Sequence, residues 1–190
     1  MDGTSGSIKN SPDDAYLKSM FYEQLVEHVF ISEVLQEAWY HFGETVEVLR
    51  SEVDSSGYDV VFECNGFLRY VQLKTSKADA KTSRQNVNIA LADKKRSGRI
   101  VWIVRPEDPQ TCRMKPSYLF FGGEAGQPLP PLKKRFRVAK NSRGNAKGVK
   151  PDRPAIRVIP KSRFKPIETT GELVEYLFGL RGPASNRPIG

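Results

Sequence analysis

The stretch Gly57-Tyr-Asp-Val-Val-Phe-Glu-Cys-Asn-Gly-Phe-Leu-Arg-Tyr-Val-Gln-Leu-Lys-Thr75 contains two β-rich runs that are separated by Asn65-Gly66. Asn-Gly is the strongest short-range signal for a two-residue turn between strands, so this stretch is predicted to form a β-hairpin. A two-residue turn also fixes which residues face each other, because it makes Cys64 the partner of Phe67.

This register decides where the polar side chains of the hairpin lie. Asp59 is predicted to lie directly opposite Gln72, with Lys74 one diagonal step away on the same face. A polar face is also typical of an ordinary half-exposed hairpin. However, the apolar Val61 and Tyr70 alternate with these residues, so neither face is predicted to be fully exposed. Because buried charges are costly, an acid and a lysine in this setting indicate a functional site.

These residues resemble the core motif of the PD-(D/E)XK, or restriction endonuclease-like, phosphodiesterases. In that family an aspartate begins one strand, and the next strand of the hairpin carries an acid or glutamine, any residue, and a lysine. Here the motif is Asp59 followed by Gln72-Leu73-Lys74. Many members add a glutamate from the preceding helix, and Glu33 stands in the matching place within residues 30–43. The resemblance covers about residues 15–105.

The resemblance implies an α/β fold with a restriction endonuclease-like core, in which a mixed β-sheet is flanked by helices. It also implies a metal-dependent nuclease that hydrolyses the phosphodiester bonds of DNA in restriction, repair or mobile-element defence. Mg²⁺ or Mn²⁺ would be held by Glu33, Asp59, the Gln72 side-chain carbonyl and the Leu73 backbone carbonyl, while Lys74 stabilises the developing negative charge.

Position 72 leaves an alternative open. A neutral amide removes one negative charge from the expected metal site, so weaker metal binding is expected. The alternative is therefore a nucleic-acid-binding module that keeps the fold and has little or no catalytic activity.

The segment before the hairpin is predicted to be a long amphipathic helix over residues 11–43, since apolar residues recur at helical spacing. On a helical wheel Glu33 falls inside the apolar arc, and Glu37 is a second candidate by the same criterion. Glu23 and Glu27 are expected to be solvated.

Composition narrows the class of protein. The chain has 190 residues, of which 38% are hydrophobic, which suits one domain. Cys64 and Cys112 form no CxxC motif, and His28 and His41 do not share one helix face, so zinc and disulfide frameworks are not expected. Without a signal-peptide pattern or a membrane-length apolar run, we predict a cytoplasmic protein that does not contact membranes.

Charge is distributed unevenly along the chain. Residues 133–165 contain thirteen Lys or Arg and one acid, whereas the other 157 residues hold seventeen bases and twenty-one acids. Such a segment is either a solvated surface or a track for a phosphate backbone, and the neighbouring phosphodiesterase-like motif favours nucleic acid, specifically DNA. The candidate nucleic-acid-binding residues are Lys77, Lys81, Arg84, Lys133, Lys134, Arg135, Arg137, Lys140 and Arg143.

The remaining elements complete the expected architecture, in which one domain spans residues 1–180. A first strand is predicted at 45–52, a helix at 86–96, a buried strand at 99–104, a basic β-rich extension at 115–165 and a closing helix at 171–180. Residues 181–190 are predicted to be a disordered tail. Cutting both strands of a duplex would usually require two sites, which leaves a homodimer open.

Overall fold

The computed structural model describes residues 12–50, 57–105 and 114–182. It is a mixed α/β structure with a six-stranded sheet, a three-stranded sheet and few helices. The α-helices are α1 (Pro12–Glu37), α2 (Leu132–Arg135) and α3 (Thr170–Phe178). The strands are β1 (Glu47–Arg50), β2 (Val60–Cys64), β3 (Phe67–Lys77), β4 (Arg84–Asn88), β5 (Gly98–Arg105), β6 (Ser117–Phe121), β7 (Val138–Lys140), β8 (Asp152–Pro160) and β9 (Lys165–Ile167). Among the described residues, no helix is long and apolar enough to cross a membrane.

The predicted hairpin is confirmed as β2 and β3. Asn65 and Gly66 adopt φ values of 51° and 75°, the left-handed pair that a tight hairpin turn requires. The strands pair with Cys64 opposite Phe67, which is the predicted register. Four of the five β2 residues are buried, so this hairpin lies inside the molecule.

The hairpin belongs to a mixed sheet with the strand order β1-β2-β3-β5-β6-β9. Only β3 and β5 pair in parallel, and the other neighbours are antiparallel. Helices α1 and α3 cover one face of this sheet, where their apolar side chains form a core with those of the strands. The members of this core that come from α1 and the turn after it are Val26, Phe30, Val34, Ala38 and Phe42.

The opposite face of the sheet is covered by a second, three-stranded sheet with the order β4-β8-β7. Trp102 and Ile100 of β5 pack there against residues of the second sheet and of the 3-10 helix Ile89–Ser97. Helix α1 lies on one face of the main sheet and β4 on the other. Side chains from both layers can therefore reach the part of β3 around residues 73–75.

Several predicted elements differ from those observed. The helix expected at 86–96 is instead the end of β4 followed by the 3-10 helix. Its first residues alternate, with Val87 buried between the more exposed Asn86 and Asn88, which is the period of a strand. The Asn88 side chain then accepts a hydrogen bond from the Ala90 N–H and so caps the 3-10 helix. The first strand begins at Glu47 rather than at 45. Its predicted end at 51–52 lies outside the described residues, as does most of the tail predicted at 181–190.

The basic extension predicted at 115–165 is not a separate unit. Strands β6 and β9 join the edge of the main sheet, while β7 and β8 build the second sheet together with β4. The segment that carries most of the positive charge is therefore connected to the hairpin through β4.

Two glycines with similar backbone angles provide a test of how the hairpin packs. Gly57 has φ +72° and is buried, and a Cβ placed there would lie 3.0 Å from Asn88 Cβ and 3.2 Å from Leu91 N. Gly66 has φ +75° and no neighbour within 4 Å. Gly66→Ala should therefore cost about 1–2 kcal/mol of backbone strain, and Gly57→Ala should cost about 1–3 kcal/mol more. Urea unfolding of both variants measures the difference, and equal losses would contradict this packing.

Candidate active site

Asp59 is held at the point where β2 begins. The ladder between β2 and β3 stops at the pair Val60 and Val71, one residue short of the predicted pairing of Asp59 with Gln72. Instead the Asp59 N–H donates to the Val71 carbonyl at 2.9 Å. The Leu73 N–H donates to Asp59 Oδ2 at 2.6 Å, so the carboxylate is fixed beside β3. Asp59 is thus placed next to Gln72 without pairing with it.

A pocket of about 480 Å³ opens beside this carboxylate. The hairpin contributes Asp59, Leu73, Lys74 and Thr75 to its wall, so three of the predicted site residues meet there. The other walls come from α1, β4 and β5, through Met20, Glu23, Gln24, Val26, Glu27, Gln85 and Ile103.

Glu23 and Glu27 are the carboxylates that α1 brings to the pocket, although both were expected to be solvated. Their spacing from Val26 and Phe30 explains the placement, since residues three and four apart share one helix face. Glu23 itself remains exposed at the pocket, and Glu27 also forms an ion pair of 2.9 Å with Arg50. The sequence therefore contained the signal for this placement, which is the spacing of three residues from Glu23 to Val26 and from Glu27 to Phe30.

The prediction that Glu33 converges with Asp59 is wrong. Glu33 lies ten residues after Glu23, about 15 Å farther along the helix axis. Its carboxylate accepts a hydrogen bond of 2.5 Å from Tyr118 and one of 3.3 Å from Thr170. The wheel correctly placed Glu33 on the buried face, but an angle does not specify a position along the axis.

Glu37, the second helix candidate, is also remote from the pocket. Its carboxylate lies 3.8 Å from the His41 ring. A Cβ at Gly171, at the start of α3, would lie 2.7 Å from Glu37 Oε1, which places this side chain against α3.

Gln72 has a different environment from the one predicted for a metal ligand. It is only 4% exposed and does not line the pocket. Its Oε1 accepts a hydrogen bond of 3.2 Å from the Asn88 N–H, which ties β3 to the end of β4. The side chain therefore connects the two sheets and does not face the pocket as a metal ligand would.

The pocket offers the kind of donor that Mg²⁺ or Mn²⁺ prefers, although it does not gather a full set. Carboxylates of Glu23, Glu27 and Asp59, the Gln85 amide and the Leu73 backbone are hard oxygen donors. Over the described residues, no three His, Cys, Asp or Glu side chains lie close enough to hold one ion. Glu23 is exposed, so its side chain can change rotamer without repacking a core. The donor set thus fits a hard divalent cation in its chemistry.

Three of the predicted nucleic-acid-binding residues come together from two distant parts of the chain. Arg84 of β4, Arg135 of α2 and Arg137 line one groove of about 290 Å³ with Phe136. Arg84 is followed by Gln85, which lines the first pocket, so β4 contributes to both.

The other predicted bases lie outside this groove. All of them are exposed: Lys77, Lys81, Lys133, Lys134, Lys140 and Arg143. Lys133 and Lys134 lie on the short helix α2.

Comparison with protein-family models, with curated proteins and with solved structures finds no match to this chain. The structure therefore defines only a broad class, that of mixed α/β proteins built on a mixed sheet. Function is inferred from the chain's own residues.

The Tyr118 and Glu33 pair predicts a dependence of stability on pH. Burial raises the pKa of Tyr118 above its usual range, and the hydrogen bond to Glu33 raises this pKa further. An unfolded tyrosine loses its proton near pH 10 while the folded one keeps it. The stabilisation is therefore complete below about pH 10 and is lost as pH rises, by up to about 1.4 kcal/mol per pH unit.

Tyr118→Phe should remove this dependence and lower the free energy of unfolding at pH 7 by about 1–3 kcal/mol. Denaturant unfolding between pH 8 and pH 11, chosen to bracket a tyrosine pKa of about 10, compares the two proteins. Parallel pH curves for wild type and Tyr118→Phe would contradict the assignment.

Proposed function

We propose that this protein is a metal-dependent phosphodiesterase that cleaves DNA. The observation that carries the proposal is the pocket in which Asp59, Leu73 and Lys74 of the hairpin meet Glu23 and Glu27 of α1. An aspartate, a lysine two residues after Gln72, and helix carboxylates form the arrangement that the PD-(D/E)XK resemblance implies, with Glu23 in place of Glu33.

The proposed cation would be held by Asp59, Glu23 and the Leu73 carbonyl. When bound, a hard divalent cation supplies charge neutralisation and lowers the pKa of a bound water. The protein's own contribution is positional. The Leu73 N–H fixes the Asp59 carboxylate at 2.6 Å, and Lys74 brings a positive charge to the same wall. An ammonium group in that place stabilises the negative charge that develops on the phosphate.

The basic groove supports nucleic acid as the substrate. Arg84 faces this groove and Gln85 faces the candidate site, and their Cα atoms are about 3.8 Å apart. Because neighbouring residues of a strand point to opposite faces, the groove and the pocket lie on the two sides of β4. β4 is an edge strand of the second sheet, so a phosphate backbone held by Arg84, Arg135 and Arg137 would reach the pocket around this edge. Arginine suits this role because its planar fork pairs with phosphate oxygens.

One observation favours the alternative of a binding module without efficient catalysis. Glu27 is paired with Arg50, and Gln72 is hydrogen-bonded to Asn88. In the described ranges no three acids lie close enough together to hold one metal ion. If catalysis has been lost, the basic groove still accounts for nucleic-acid binding.

The candidate site is tested by neutral substitutions that preserve shape. Asp59→Asn, Glu23→Gln and Lys74→Met should each lower Mg²⁺-dependent or Mn²⁺-dependent cleavage of DNA by about 100-fold or more, because each removes a charge from the reacting region. Asparagine keeps an oxygen that can accept from the Leu73 N–H, so the fold should persist. Cleavage of linear, supercoiled, branched and single-stranded substrates is followed on gels.

Glu33→Gln is the matched control for these variants. It makes the same chemical change on the same helix, but next to Tyr118 and away from the pocket. Cleavage should be retained in this control. Loss of cleavage in Glu33→Gln together with full activity in Glu23→Gln would contradict the assignment of Glu23, instead of Glu33, to the site. If wild type cleaves no substrate with either ion, the binding module is favoured.

The basic groove is tested by salt dependence. Changing Arg84, Arg135 and Arg137 to Gln should weaken DNA binding irrespective of sequence. The slope of log K against log[salt] should fall by roughly 0.9 for each phosphate of the duplex that the protein no longer neutralises. The control changes Lys18, Lys115 and Arg181 to Gln, three exposed bases outside the basic segment. Identical salt slopes in the two triple variants would mean that the arginines of the groove are solvated and do not contact DNA phosphates.

A further inference from the structure

The connection between β7 and β8 forms an arm that contacts no core. Every residue from 140 to 155 is exposed. Lys140 pairs with Asp152 and Ala139 with Arg153, so the base of the arm is a two-stranded antiparallel ribbon. Such a ribbon buries little surface and adds little to stability.

The arm leaves the second sheet at an irregularity in β8. Val138 pairs with Arg157, but the next residue, Ala139, pairs with Arg153, so β8 has a bulge on its β7 side and this ladder skips residues 154–156. Pro154 lies in this bulge, where it cannot donate to the ladder. The Arg157 side chain donates to the Pro154 carbonyl at 2.7 Å and fixes the bulge. A bulge bends its strand and increases the local twist, so the ribbon does not simply continue the direction of the sheet.

The tip of the arm is ordered by its own hydrogen bonds. The Asn145 N–H donates to the Val149 carbonyl, and the Gly148 N–H donates to the Asn145 carbonyl, both at 2.8 Å. Asn145 Oδ1 also accepts from the N–H groups of Lys147 and Val149, both at 3.0 Å. The tip therefore has a defined shape before any partner binds, which lowers the entropy cost of binding.

The chemistry of the arm points to a polyanion with an apolar feature. Over residues 140–155 it carries five bases, Lys140, Arg143, Lys147, Lys150 and Arg153, against the single acid Asp152. Val149 at the tip is 60% exposed. The arm has no aromatic residue, so it lacks the stacking platform on which single-stranded nucleic acid is bound.

We propose that this arm enters the major groove of duplex DNA. The major groove is about 12 Å wide and admits a two-stranded ribbon, whereas the minor groove is about 6 Å wide. The Lys and Arg side chains of the arm contact phosphates on both sides of the groove, and Val149 packs against thymine methyl groups. This inference rests on the proposed function and names its substrate as double-stranded DNA.

The test compares an arm variant with the control variant of Lys18, Lys115 and Arg181. The arm variant changes Arg143, Lys147 and Lys150 to Gln. It removes as many positive charges as the control variant does, and all three replaced residues are exposed. Affinity for a duplex should fall by about tenfold or more in the arm variant. The control variant should bind like wild type, and the arm variant should lose less affinity for the single strand of the same sequence.

Dimethyl sulfate footprinting locates the arm, since the reagent methylates guanine N7 in the major groove and adenine N3 in the minor groove. Wild type should protect guanine N7, and the arm variant should not. Protection confined to adenine N3, or equal losses on duplex and single strand, would overturn the proposal.

The two proposals fail in different ways. If wild type binds and cuts duplex DNA while the arm variant binds like the control, the arm proposal alone is overturned. If wild type binds no DNA, the proposed function falls and the arm proposal falls with it. Cleavage by the arm variant at saturating protein concentration separates binding from chemistry, because its pocket residues are unchanged.

Discussion

The hydrogen bond from the Leu73 N–H to the Asp59 carboxylate is the interaction on which the candidate site depends. It holds the two strands together just beyond the last backbone pair of β2 and β3, Val60 with Val71, and it places the Asp59 carboxylate at the pocket. The bond measures 2.6 Å, which is short for a hydrogen bond from a backbone N–H. Gly57 makes this geometry accessible, since its positive φ and missing side chain let the chain approach Asn88 and Leu91.

Helix α1 serves two purposes along one buried face. Its middle turns present Val26, Phe30 and Val34 to the main core. Toward the N-terminal end the same stripe carries carboxylates into the pocket, and toward the C-terminal end Glu33 joins Tyr118 and Thr170. Acids on one helix face can therefore stabilise the fold at one end and line a site at the other.

The sequence predicted the hairpin well because its signals are local. Asn65-Gly66 sets both the turn and the register, and the register is observed as predicted. The choice of glutamate failed because the crossing of α1 over the sheet is set by tertiary packing, which a helical wheel does not contain. Gln85 was missed because β4 was not recognised as a strand, and its contribution depends on a second sheet formed by residues far apart in sequence. Arg84, Arg135 and Arg137 were named from charge alone, and only the fold shows that they share a groove.

The two-residue turn also limits how this chain can change its length. Exposed turns usually tolerate insertions. Here one added residue would replace the two-residue Asn65-Gly66 turn that sets the register, and a register slip of one residue would send every β2 side chain to the opposite face of the sheet. Asp59 would no longer meet the Leu73 N–H, and Phe62 would leave the core. The tip of the β7 and β8 arm is under no such restriction, because its residues have no partners in the main sheet. Variation in loop length is therefore expected to disturb the hairpin more than the arm, although both loops are exposed to solvent.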